Sequence, residues 1–500
     1  MAIQTRNSAL AVKVETTEGT PVVPAAGSDY VALQDDFSMS PAFEVLDNAE
    51  LKASLGKAKS VLGLEQPSAS TSHYLRHSGT EGSAPNYRYF LKAAFGAEDD
   101  AGVEHNTVSG STTSVINVDT GEGATYLRGQ ALLIKDGTNG YRIRAVESIS
   151  SDALTLGFQV PTAPGTGVNL GEAITYYPVN TGHPSLSLWH YVGNTGAIQL
   201  VSGARVTDLS ISAEAGQFIN ASYSLEGVEY YFNPITISSA NEDIDFNEGG
   251  SSLAAVVPSG TYKDPHELAA AIETAMDAVA TADITVTYSD STGKYTIASD
   301  GVTFELEWNT GASTGTSIGT TLGFAVAADD TGATSYTSDN AITLSSPQTP
   351  SYDSASPLVA KNNEVLLGDV DDYACFEASS ISFSMATPKT DILSICATSG
   401  KSGSVINERT VTIEVSSLLK QYDADKFRKF RENENTKFQF SFGNKSGGNW
   451  VAGQCGCLFV PTATITSFEI ADQDGLVALN MTLTAYVNDD AEGEVFLSFV

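Results

Sequence analysis

Val206-Thr-Asp-Leu-Ser-Ile211 alternates apolar and polar residues, turns at Ala215-Gly216, and returns as Ile219-Asn-Ala-Ser-Tyr-Ser224. Alternation, a glycine-bearing turn and renewed alternation predict a β-hairpin with one buried face. The pattern recurs near the C-terminus. Ile465-Thr-Ser-Phe-Glu-Ile470 matches the outgoing strand, Asp474-Gly475 the turn, and Leu479-Asn-Met-Thr-Leu-Thr484 the return, with one residue inserted.

Outward from these hairpins, more blocks repeat in the same order. Phe37-Ser-Met-Ser-Pro41 has its counterpart in Phe383-Ser-Met-Ala-Thr-Pro388, each after an acidic alternating stretch, residues 30–36 and 373–382. Both run into a Gly/Ser/Lys connection, Leu55-Gly-Lys-Ala-Lys-Ser60 and Ser399-Gly-Lys-Ser-Gly-Ser404. An extended stretch and a short amphipathic helix follow. Tyr87, Phe90, Leu91 and Ala94 set the i, i+3, i+4, i+7 stripe in the first copy, Phe427 and Phe430 the second. The Phe-Gly pairs Phe95-Gly96 and Phe442-Gly443 are not equivalent, because the second closes a strand-like run, residues 437–442. Repetition of ordered blocks predicts a duplicated framework.

Two stretches interrupt it. Residues 101–180 hold short alternating runs (132–134, 141–144, 153–156, 173–177) between turns, which predicts a small inserted β-barrel or sandwich module. Within residues 240–346, Asp264-Pro-His-Glu is a cap and first turn for a helix over 268–279. Strands over 284–288, 294–297 and 302–308, and a turn ending at Leu322-Gly-Phe324, complete an α+β insert. The expected organisation is 1–100 with 181–239 as framework copy one, 101–180 and 240–346 as inserts, and 347–500 as copy two. The fold class is mainly β, each copy an antiparallel sandwich or barrel domain with one flanking helix.

Five hundred residues suffice for three to four domains, and 41% hydrophobic content with 44 glycines fits a folded, turn-rich chain. The formal charge of −34 argues against a protein that grips nucleic acid, since affinity for phosphate comes from Lys and Arg. DNA as a passing cargo is compatible with it, because a negative wall does not trap a negative polymer. Residues 240–346 carry two lysines against sixteen carboxylates, and with residues 101–180 also set aside the framework keeps a net charge of −17. No apolar leader opens the sequence and no run of ~18 apolar residues occurs, so neither export by a signal peptide nor a membrane anchor is expected. Cys375, Cys396, Cys455 and Cys457 are expected as small buried hydrophobes, Cys455-Gly-Cys457 being too tight for a zinc pair.

Little points to chemistry. His73 and His77 stand four apart, but on a segment that reads as extended and without a third ligand. His183 and His190 flank the alternating Leu186-Ser-Leu-Trp189 and read as surface or core groups. Gly400-Lys-Ser402 lacks the earlier glycine of a phosphate loop, and no nucleophile elbow, HExxH or CxxC occurs. Asp99-Asp100, Asp329-Asp330 and Asp489-Asp490 read as solvated loops. No catalytic, cofactor-binding or metal residue is therefore assigned, no cofactor is expected, and the chain is not expected to be an enzyme.

The opening Leu10-Ala-Val-Lys-Val-Glu-Thr-Thr-Glu-Gly-Thr-Pro-Val-Val-Pro24 resembles the N-terminal segment of siphophage tail tube proteins, through Lys13, Glu15, Gly19 and Thr20. The acidic strand, connection, helix and late hairpin resemble that family's order of elements in both copies. The resemblance implies tail-tube-like domains of two packed antiparallel sheets, six of which close into a ring whose inner strands form a barrel, with rings stacking into a tube. Two copies per chain then imply a trimeric, pseudo-hexameric ring. The connections over 44–62 and 389–404 would be loops reaching the next ring, with the inserts outside. The implied partners are the chain itself, a tape-measure protein, tail terminator and tip proteins, and phage DNA crossing the lumen without sequence-specific binding. The implied location is the virion tail, assembled in the host cytoplasm. Two other readings stay open: a virion decoration or glycan-binding adhesin using exposed Tyr176, Tyr177 and Trp308, and a polysaccharide hydrolase using paired carboxylates.

Overall fold

A computed structural model describes residues 4–500 except 26, 28, 51, 53, 101–102, 195–196, 345–347, 420–423, 474 and 488–492. Asp489-Asp490 and Asp474 thus lie outside the described residues. The fold is mainly β, built of antiparallel sheets with few helices. The chain forms two compact units. One comprises Met1–Ala11, Leu188–Val201 and Glu229–Thr349, the other Val12–Ser187, Ser202–Val228 and Pro350–Val500.

The first unit contains the α+β part. Its helix, Pro265–Asp277, starts where the Asp264 carboxylate accepts from the backbone N–H groups of His266 and Glu267, with Pro265 at the first position. Leu268, Ala269, Ile272 and Met276 form its buried stripe. They pack with Phe246, Ile284, Tyr295 and Ile297 from a four-stranded and a three-stranded sheet.

The framework lies in the second unit, except that residues 188–201 belong to the first. In chain order its elements are β1 (Ser38–Ser40), β2 (Phe43–Leu46), β3 (Val61–Glu65), β4 (Ser68–Tyr74), α1 (Arg88–Phe95), β5 (Leu186–Val192), β6 (Ala197–Glu214) and β7 (Asn220–Glu226). A second run follows: β8 (Ala378–Ala386), β9 (Lys389–Leu393), β10 (Lys401–Ile406), β11 (Thr410–Leu418), α2 (Ala424–Glu432), β12 (Asn435–Ser446), β13 (Asn449–Gln473) and β14 (Leu476–Ala485). Both runs read strand, hairpin, strand, helix, strand, long strand, return strand.

The pairing repeats too. β1 pairs β4, β4 pairs β7 and β7 pairs β6. β8 pairs β11, β11 pairs β14 and β14 pairs β13. The groups join through β6 and β8, from Asp208↔Ala386 to Glu214↔Ser380. One continuous eight-stranded ladder results, β1-β4-β7-β6-β8-β11-β14-β13.

Each group carries a one-residue bulge at the same place, Thr207 in β6 and Thr466 in β13. The Thr207 hydroxyl donates to the Ser224 carbonyl and the Thr466 hydroxyl to the Thr482 carbonyl, both at 3.2 Å. Leu75 N–H donates to the Ile219 carbonyl as Leu419 N–H does to Val477. These landmarks make Val206 equivalent to Ile465 and Leu225 to Leu483, and through the ladder Met39 equivalent to Phe383. Matching Phe37 with Phe383, and Ile219 with Leu479, is thereby corrected by two residues. A slip of two keeps every side chain on its own face, so alternation alone could not detect it.

The connections over 44–62 and 389–404 are not plain loops but β-hairpins, β2 with β3 and β9 with β10. In the module over 101–180, Ala131–Ile134 is buried at every position because the two faces of its sheet meet different cores. Leu132 and Ile134 face the module's own cluster, while Ala131 and Leu133 pack with Leu366, Trp450, Phe459 and Phe496. The run at 173–177 leaves the module sheet. Ile174–Pro178 pairs instead with Phe496–Phe499 and Gly96–Asp99.

Candidate assembly surfaces

The two faces of the ladder differ in chemistry. One face carries Leu209, Ile211, Ala221, Tyr223, Phe383, Met385, Ile413 and Leu483, all buried. Both helices pack on this face: Phe90 of α1 stacks on Tyr223 at 4.9 Å, and in α2 Phe430 stacks on Phe468 at 6.1 Å while Phe427 meets it edge to face at 5.5 Å. The opposite face carries almost only short hydroxyls and amides. Ser38, Ser70, Ser210, Ser222, Ser384, Thr412, Thr482 and Thr484 are typical, and cross-strand bonds link Ser38 to Ser70 (2.8 Å) and Ser210 to Ser222 (2.7 Å). Its charged groups are mostly carboxylates such as Asp208, Glu226, Glu414 and Glu469; Arg205, paired opposite Glu226 at the end of the face, is a cation there and is bound to Glu18 at 2.6 Å.

Two edges end the ladder. Among the described residues, β1 pairs only with β4, and β13 beyond Thr466 only with β14. Unpaired N–H and C=O groups along an edge are templates for another strand.

The hairpins are the third surface. Phe43, Val45, Leu46, Val61 and Leu62 are exposed on the first, Ile392, Leu393, Ile395 and Val405 on the second. Apolar side chains on thin two-stranded projections mark contact surfaces rather than cores. The second hairpin is anchored at its base. Asp391 accepts from the buried Lys389 (2.6 Å) and Lys401 (2.8 Å), which hold its carboxyl below the usual range although burial opposes this. Its tip meets the first hairpin, Glu65 N–H donating to the Ser399 carbonyl.

The Lys13/Glu15/Gly19 segment has a structural task. The Glu15 carboxylate is buried, accepting from Ser185 Oγ (2.7 Å), Ser187 Oγ (2.8 Å), Gly203 N–H (2.8 Å) and Gly19 N–H (2.9 Å). Burial raises its pKa and these bonds oppose the rise. Gly19 has φ of +81°, which glycine adopts without a steric penalty.

The chemically suggestive residues do not converge. His73 lies in β4, between the rings of Tyr87 (4.1 Å) and Tyr223 (5.4 Å), and burial lowers its pKa to about 4. His77 turns away to Asn444 at 3.3 Å, so the two histidines form no metal pair. Burial, then Arg409 and Arg205, lower His183 to about 4, and His190 bonds Gln199. Cys455 and Cys457 are buried, which pushes both thiols up to about 12, but Cys375 and Cys396 are exposed, against expectation, because they sit in loops outside the sheets. The aromatics considered for sugar contact are corrected as well. Tyr176 is fully buried, and Trp308 stacks on Phe324 and donates Nε1–H to Asp330 at 2.9 Å, both completing cores instead of a surface. Tyr177 packs at the rim of the module's core. Among the described residues no helix is long and apolar enough to cross a membrane.

A polar face dominated by hydroxyls and carboxylates, a helix-covered apolar face and open sheet edges are the marks of a structural β protein. The phage tail tube protein family model matches residues 5–261, just over half of the chain, and the chain belongs to that family. It is a structural subunit of a phage tail tube, a component of the virion tail that associates with itself. Among solved structures it is similar to a chain from the virion of a native gene transfer agent particle, at 15% identity and a TM-score of 0.18, covering 25% of this chain and 92% of that one. It is also similar to the SPP1 tail tube, at 15% identity and a TM-score of 0.20, covering 27% and 75% respectively. Comparison with curated proteins finds no match.

Proposed function

We propose that the chain is a siphophage tail tube subunit with a duplicated tube domain, residues 1–100 with 181–239 forming one copy and residues 347–500 the other. Three chains supply six copies to a pseudo-hexameric ring, and rings stack into the tube. The observation that carries this reading is the ladder: two four-strand groups of identical order, joined edge to edge, with one open edge left at each end. A ring closes those edges, which would otherwise invite uncontrolled association.

The hydroxyl face lines the bore. Its carboxylates outnumber Arg205, which Glu18 already binds, so DNA crosses during ejection without being gripped. The hairpins β2–β3 and β9–β10 reach the adjacent ring with exposed apolar side chains such as Phe43, Val45, Ile392 and Ile395, while the inserts 101–180 and 240–346 lie outside. A tape-measure protein occupies the bore before ejection, terminator and tip proteins cap the ends, and assembly takes place in the host cytoplasm.

Negative-stain electron microscopy of the purified chain at rising concentration tests this. Stacked rings with threefold averages are expected. Persistent monomers would overturn the reading and favour a decoration protein or adhesin.

A further inference from the structure

Inside the chain, the β6–β8 join shows how one copy meets the next, and the exposed edges show what the same join lacks. Ile211 in β6 is 3% exposed, covered by Phe383 of β8 opposite it. Its equivalent in β13, Ile470, is 54% exposed. Ile219 is fully buried, with its N–H bonded to the Leu358 carbonyl of the second run, whereas its equivalent Val477 is 50% exposed. Equivalent positions differ because one has the neighbouring copy beside it and the other ends the chain's sheet.

Resting on the ring reading above, we infer that β13 of one chain pairs with β1 of a second copy in the register of the β6–β8 join, setting Ile470 opposite Met39, Glu469 opposite Ser40 and Ala471 opposite Ser38. The occupant of each edge is another copy of this chain, because the chain already contains the joint once.

Sheet geometry distinguishes this register from the one suggested by matching Phe37 to Phe383. Following the ladder from Ser38 through Ser70, Ser224 and Asp208 leads to Ala386. Ser38 is equivalent to Ser382, so each group of four strands advances four residues. With ~3.3 Å per residue and ~4.8 Å between strands, that stagger tilts the strands by about 35°, within the range of closed barrels. The alternative advances two residues and tilts them by only about 19°, too little for closure. Twenty-four strands at the larger tilt give a barrel roughly 45 Å across between backbones.

The hairpins extend the joint. Gly400, at the tip of the second hairpin, lies against Leu64 of the first. The equivalent Leu55-Gly56 is fully exposed at Leu55, and meets residues 408–409 of the neighbouring chain when the joint is repeated.

Cysteine cross-linking tests the register. In a Cys375→Ser, Cys396→Ser background, the pair Glu469→Cys with Ser40→Cys is oxidised in assembled tubes, beside the pair displaced by two residues, Glu469→Cys with Ser38→Cys. Covalent dimers and trimers are expected from the first pair, with no larger species, and at least tenfold less product from the second. Preferential cross-linking of the displaced pair, or tubes in which neither pair reacts, would overturn the register while leaving the tube intact. Absence of rings from the cysteine background itself, seen by electron microscopy before oxidation, would instead overturn the ring reading.

Discussion

The β6–β8 join and the open edges at β13 and β1 are one arrangement in two states of completion. At the join, seven residue pairs run in register and the apolar face is continuous. At the edges Ile470 and Val477 stand exposed and Met39 is only half-buried. The comparison separates the contribution of a residue to folding from its contribution to assembly, which share one side-chain chemistry in this sheet.

The strongest way to break the comparison is one substitution at both positions. Ile211→Lys buries an unpaired ammonium in the completed join and is expected to destabilise the folded chain by about 3–5 kcal/mol. Ile470→Lys is expected to leave denaturant unfolding of the isolated chain within ~0.5 kcal/mol and to abolish tubes, because the charge would have to enter the neighbour's core. Matching unfolding losses in the two variants would refute the equivalence.

A second prediction compares the hairpins. Asp391→Asn leaves buried Lys389 and Lys401 without their shared carboxylate and should cost about 3 kcal/mol in denaturant unfolding. Glu44→Gln in the exposed first hairpin should change it by less than ~0.5 kcal/mol. A small effect of the first variant would mean that the anchor contributes no stability.

The third sharpens the contrast between β4 and β11, in which His73 and Ser417 occupy equivalent positions. His73 has a folded pKa of about 4, below its ordinary value, so the unfolded chain binds the proton more readily. Stability should therefore fall as pH drops from ~6.5 to ~4, by about 3 kcal/mol from this group. His73→Phe should flatten that part of the pH profile; an unchanged slope would assign the loss elsewhere. The smallest expected effect on stability, within ~0.5 kcal/mol, belongs to Ser222→Lys on the hydroxyl face. Its tubes should nevertheless retain DNA in a salt-dependent manner, measured by co-sedimentation, whereas unchanged tubes should not.

Much of this was legible in the sequence. The alternation at 206–211 and 465–470 gave both long strands and their buried faces, and Asp264-Pro265 gave the start of its helix. What escaped has identifiable causes. The two-residue slip between Phe37 and Met39 preserves face, so only bulges and hydrogen bonds could reveal it. The hairpins at 43–65 and 389–406 read as loops because their polar, Gly/Ser/Lys-rich segments carry no inward face. Tyr176 and Trp308 passed for surface aromatics because a composition rich in turns hides which short strand completes which core.

The β6–β8 join also bears on the entropy of assembly. Six separate tube domains must surrender the translational and rotational freedom of five bodies to form one ring; three linked pairs surrender that of two. At an estimated 4–15 kcal/mol for each association, covalent linkage removes three such costs per ring. It also lets the six positions differ. Because only one copy of each pair passes from α1 to β5 through the module strands, every second position around the proposed ring would carry that module, and the tube exterior would be threefold where its bore is nearly sixfold.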